Sequence, residues 1–92
     1  MADLEDLVVR GTALLKSMGA RRVYLFGSVA RGNARKDSDL DLAVEGLPPE
    51  TFYRTLAQLN DLTDRQVDLV DLDEVNPFTA YLKEKGLLRR VA

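Results

Sequence analysis

Leu4, Leu7, Val8, Leu14, Leu15 and Met18 recur at three- and four-residue spacing among polar and small positions. That period predicts an amphipathic helix over residues 3 to 18, with Gly19 as its stop. The pattern then shifts. "RRVYLFG" is rich in β-forming residues and closes on glycine, which predicts a first strand. "DLDLAVEG" alternates Asp39 and Asp41 with Leu40, Leu42 and Val44, the signature of a strand with one polar face. Gly46, Pro48 and Pro49 mark a turn. A second helix is expected from about residue 49 to 62, carrying Phe52, Leu56 and Leu59 inward. "QVDLVDL" predicts a third strand by its length and β-branched content. Asn76 and Pro77 are suited to be the cap and first residue of a last helix that ends at Gly86. "LLRRV" adds a short edge strand. The expected fold is a single α/β (α+β) domain over residues 1–92, with a small mixed sheet of three to four strands packed against helices.

Composition narrows the chemistry. A chain of 92 residues buries roughly 60–65% of its unfolded surface, enough for one modest core. Apolar residues at 46% and charged residues at 30% are globular proportions, not disordered ones. There is no cysteine and no histidine, so thiolate and imidazole ligands are absent and any metal must be held by oxygen. That favours magnesium, manganese or calcium. The acidic opening "MADLEDLVVR" lacks the basic and apolar regions of a signal peptide, and no apolar run is long enough for a membrane span. A cytoplasmic protein is expected. Net charge is −2, which argues against stable nucleic-acid binding.

The charges nevertheless cluster. Arg31, Arg35 and Lys36 directly precede Asp37, Asp39 and Asp41, a mixture suited to a metal-bound anion. Gly27 ends the first strand without a Cβ, so backbone can approach a ligand there. Ser28 adds a hydroxyl, and "VARG" reads as a short helical turn whose N–H groups suit an anion. An ordinary strand-to-helix turn is the alternative for this pair taken alone. Residues two apart on a strand share a face, so Asp39 and Asp41 are expected to point together. Their mutual repulsion favours either a proton or a cation between them; two acids on a water-facing strand are the other reading. Asp68 sits inside an apolar strand and calls for a partner if buried, which an adjacent Asp39–Asp41 strand would supply through a shared metal. Asp71 falls on the opposite face from Asp68 and suits solvent or a cap.

Gly27-Ser28, the intervening residues 29 to 38, and Asp39-Leu40-Asp41 together resemble the hallmark of the minimal nucleotidyltransferase (MNT) family, within the polymerase β-like superfamily. The wording "GSVARGNARKDSDLDLAV", the later "VDLVDL" and "NPFTAYLKEKGLL" are similar to that family too, so the likeness spans nearly the whole chain. The resemblance implies a polymerase β-like fold and metal-dependent transfer of a nucleoside monophosphate to an acceptor hydroxyl. By position it assigns Gly27 and Ser28 to the triphosphate of ATP. It assigns Asp39 and Asp41 to two magnesium ions (manganese being an alternative), and Asp68 to the catalytic metal and the attacking hydroxyl. Arg31 is a candidate phosphate contact, with an exposed helical arginine as the alternative. Family members of this size resemble antitoxins that attach AMP to a tyrosine of a HEPN-family toxin. That implies a HEPN partner, and a hetero-oligomer with it. Binding without catalysis, or modification of RNA or a small molecule, are the competing functions. Phe52, Tyr53 and Phe78 are candidates for a docking surface, with core packing the expectation for the two phenylalanines.

Overall fold

The computed structural model describes residues 4–30, 32, 39–64 and 66–92. The elements follow in the order α1 (Leu4–Ser17), β1 (Arg22–Leu25), a short α2 (Gly27–Ala30) and β2 (Leu40–Glu45). A 3-10 turn (Pro49–Thr51), α3 (Phe52–Thr63), β3 (Val67–Asp71), α4 (Pro77–Glu84) and β4 (Arg89–Arg90) complete the chain. The sheet has four strands in the order β3-β2-β1-β4. β1 runs antiparallel to both β2 and β4, while β2 and β3 are parallel. A parallel pair needs a crossover, and α3 provides it. This is the mixed α/β architecture that the patterning predicts.

Strand alternation divides the sheet into two faces. Val23 and Leu25 of β1, Leu40, Leu42 and Val44 of β2, and Val67 of β3 enter the larger core. There they meet Leu15 of α1 and Leu59 of α3, both fully buried. The alternate residues turn to the other face, where Ala43, Phe26 and Leu72 pack against Leu82 of α4. The polar positions of β2 therefore belong to the α4 face.

Local chemistry fixes where the helices start and stop. The second helix begins as a 3-10 turn at Pro49 and becomes α-helical only at Phe52. It ends at Asp64 in the left-handed conformation, with φ 51°. Asn76 caps α4: its side chain accepts from the Thr79 N–H, and the Thr79 hydroxyl accepts from the Asn76 N–H. Pro77 occupies the first turn, where its missing N–H costs nothing. Lys83 donates from Nζ to the Leu72 carbonyl at 3.1 Å, tying α4 to the segment that follows β3. Asp71 behaves as a cap, its Oδ1 accepting the Asp73 N–H at 2.9 Å.

Candidate active site

The site is built where β1 ends and β2 and β3 begin. Leu25 pairs with Leu42 across the β1–β2 ladder, and one step further the Phe26 N–H donates to the Asp41 carbonyl at 3.2 Å. Gly27 follows at once, with φ +71°, a left-handed conformation that a side chain disfavours by about 1–2 kcal/mol. A Cβ at Gly27 would fall on Oδ2 of Asp41 and within 3.0 Å of its Cγ. Glycine is thus favoured twice, by the backbone conformation and because a Cβ would push the Asp41 carboxylate aside. The long interval between the glycine and the second aspartate of "DLD" is the length of chain that leaves β1, passes through α2, and returns on β2 to this contact.

β3 brings the third acid. In the parallel β2–β3 ladder Asp41 is in register with Asp68, and adjacent strands lie about 4.8 Å apart. Both residues alternate with core-facing neighbours (Leu40 and Leu42, Val67 and Leu69), so both side chains leave on the α4 face. Asp41 is half-buried and Asp68 exposed. Asp39 lies one residue before β2 begins and is exposed. The structure therefore pairs Asp41 with Asp68 by strand register and sets Asp41 against Gly27. Asp39 lies two residues before Asp41, just outside the β2 ladder. Among the described residues, no group of three or more acids is close enough to hold a metal ion as they stand. Arg31 lies outside the described residues, and so does the side chain of Ser28.

The sequence pattern did not reveal what borders the pair. Phe26 is buried at 8% exposure, and Phe78 in the first turn of α4 meets it edge-on, centroids 6.0 Å apart. Phe78 itself keeps 48% of its surface exposed. This departs from the expectation of core packing, because Phe78 lies at the rim of the α4 face, edge-on to the ring of Phe26. Phe52 packs against the larger core as expected, and Tyr53 beside it is 80% exposed. A pocket of about 400 Å³ runs from Asp68 past Phe26 and Phe78 to Leu56 of α3. The one sequence signal that located Phe78 was its place after the Asn76-Pro77 helix start.

Residues 12–88 match the family of polymerase β nucleotidyltransferases. The chain belongs to that family. No curated relative matches it. Among solved structures, a protein described as a minimal nucleotidyltransferase is 35% identical and superimposes with a TM-score of 0.71, over 99% of this chain and 96% of that one. A toxin-antitoxin crystal structure with AMP-PNP contains a chain 25% identical, with a TM-score of 0.70, covering 95% of this chain and 71% of that one. A complex of a tri-AMPylated HEPN toxin with its MNT antitoxin, from Shewanella oneidensis, contains a chain of the same fold. That chain is 22% identical with a TM-score of 0.67, over 91% of this chain and 67% of the other. The chain has the nucleotidyltransferase fold, and several of its structural neighbours are antitoxins of toxin-antitoxin pairs. Among the described residues, no helix is long and apolar enough to cross a membrane.

Proposed function

We propose that this nucleotidyltransferase is a magnesium-dependent protein adenylyltransferase of antitoxin type, moving AMP from ATP to a tyrosine hydroxyl of a HEPN-family toxin. The observation that carries this reading is the register of Asp41 with Asp68, joined to the carboxylate contact that favours glycine at position 27. Two carboxylates held side by side on rigid strands, against bare backbone, are an arrangement with a use in phosphoryl chemistry.

The donor set suits magnesium. The chain has no histidine or cysteine, and this ion binds through one or two carboxylates together with substrate phosphates. Asp41 and Asp68 would hold it, with Asp39 as a further ligand; when bound it would neutralise charge on the triphosphate and lower the barrier to attack at phosphorus. Gly27 and Ser28 would receive the triphosphate tail, where the absence of a Cβ allows phosphate oxygens to reach backbone N–H groups. Asp68, the exposed member of the pair, would accept the proton of the acceptor hydroxyl. The hydroxyl oxygen then bonds to the α-phosphorus, the bond from that phosphorus to the bridging oxygen breaks, and pyrophosphate leaves with the electron pair. Arg31 is assigned as a phosphate contact.

The related structure with AMP-PNP and the one with a tri-AMPylated toxin support this choice of nucleotide and acceptor. Intact-mass spectrometry of the cognate HEPN partner, after incubation with this protein, ATP and magnesium, tests it. The expected result is a mass gain in steps of AMP that disappears with Asp41→Asn and Asp68→Asn. A partner that is inhibited but unmodified would instead make this a binding antitoxin on an enzyme fold.

A further inference from the structure

β3 is an outer strand of the sheet, with β2 on one side only. Its bonding alternates. The Leu40 N–H donates to the Gln66 carbonyl, and the Leu72 N–H to the Val44 carbonyl. With Asp41 opposite Asp68, the parallel pattern turns the backbone of Asp68, Val70 and Leu72 toward β2. The backbone of Val67, Leu69 and Asp71 therefore turns outward. α3 already covers the first of these, because Asn60 Oδ1 accepts the Val67 N–H at 2.9 Å. The Asp71 carbonyl accepts the Glu74 N–H. Between these two closures lie the Val67 carbonyl, both polar groups of Leu69, and the Asp71 N–H. Exposed edges of this kind are usually blunted by a lysine, a proline or a bulge. Residues 67 to 71, "VDLVD", contain no lysine, proline or bulge; the edge is guarded by acids alone, Asp68 and Asp71, which a basic segment would neutralise.

This edge is the floor of a cleft. The pocket that begins at Asp68 adjoins a second of about 420 Å³, and the two share Leu69, Val70 and Phe78. α3 forms one wall with Phe52, Tyr53 and Leu56, and α4 forms the other with Phe78. Charge in the cleft has one sign: Asp68, Asp71 and Glu74 line it, with no lysine or arginine among its described lining residues.

We propose that an extended segment of the acceptor protein, apolar on one side and carrying basic residues, adds to β3 as a fifth strand in this cleft. This rests on the reading of the chain as a protein adenylyltransferase. Main-chain hydrogen bonds from the outward groups of β3 supply the affinity, and the two walls select side chains that alternate along the segment. The basic residues answer the acidic lining. Strand addition also solves a positioning problem, because the residue opposite Asp68 projects its side chain on the same face. A hydroxyl at that position is delivered to the carboxylate pair.

The test uses a capped nonapeptide in which tyrosine is flanked on both sides by alternating valine and lysine, titrated into the isotope-labelled protein and followed by NMR. A second peptide carries N-methyl groups on the amides that would bond to β3, which removes the ladder without altering the protein. The expected result is saturable shifts and slowed exchange at the Leu69 and Asp71 amides, with the N-methylated peptide weaker by about tenfold or more. Asp68→Asn leaves the outward backbone groups of β3 in place and should weaken binding of the unmodified peptide only in part, while AMP transfer is lost. Equal binding of the two peptides, shifts centred on Arg89 and Arg90 of the opposite edge, or no saturation at millimolar peptide would each overturn strand addition. Strand addition with no AMP transfer to the cognate partner would overturn the enzymatic reading alone.

Discussion

Gly27 ties the turn after β1 to the Asp41 carboxylate that the proposed function uses. Its left-handed backbone and the Asp41 oxygen beside it leave no room for a methyl group. Gly27→Ala should therefore cost about 1–2 kcal/mol from backbone strain alone, visible as a lower Tm. It should also displace the carboxylate, cutting transfer on the order of 10²-fold while substrate binding falls less. A second residue-scale prediction concerns Tyr24. Burial, and then its hydrogen bond to Glu45 at 3.0 Å, raise its hydroxyl above the usual value of 10.0; Arg22 and Arg90 oppose the shift. Because the folded state favours the protonated phenol, this contribution is intact below the unfolded pKa and is lost as pH rises through the folded one. Stability should drop more steeply above pH 10 in the wild type than in Tyr24→Phe, as followed by denaturation across that range. Thr12 is a third case. Its buried hydroxyl has no hydrogen-bond partner among the described residues, so Thr12→Val should be neutral or stabilise by about 1 kcal/mol in a urea titration.

Among the elements, the helices and strands were legible because period and punctuation agreed. The 3.6-residue spacing in α1, the alternation in β2, and Asn76-Pro77 ahead of α4 each carried their own signal. Asn76→Ala removes one half of the capping box and should destabilise by about 1 kcal/mol, read as an earlier thermal transition. The 3-10 start of the second helix was not legible, since proline suits either kind of first turn. Nor was the pairing of β2 with β3. Strand order is set by how α3 crosses back over the sheet, and no local pattern encodes that. The three aspartates could be named from their spacing and from the family likeness, whereas the register that joins Asp41 to Asp68 required the folded chain. The cleft along β3 was hidden for the same reason. Phe78 reads as core by type, and only the placement of α4 leaves it half-exposed at the rim of the acidic pair.

At the scale of the molecule, the sheet has two unlike faces. The face covered by α1 and α3 holds the larger core, with Leu15, Leu40, Leu42 and Leu59 wholly inaccessible. Leu59→Ala should cost about 2–5 kcal/mol, a large share of what so small a chain has in reserve. Among the described residues, α4 covers one end of the opposite face, and at the other Asp41 is half-buried and Asp68 exposed. On the proposed reading, stability and chemistry fall on different sides, and substitutions at Asp41 or Asp68 should abolish activity with little change in Tm. The most direct check is paramagnetic relaxation by manganese, bound together with a non-hydrolysable ATP analogue. Selective broadening of the Gly27, Asp41 and Asp68 amides, lost in Asp41→Asn, is the predicted result. Broadening centred instead on the acidic end of α3, at Asp61 and Asp64, would contradict the assignment of the β2–β3 pair as the site of nucleotidyl transfer.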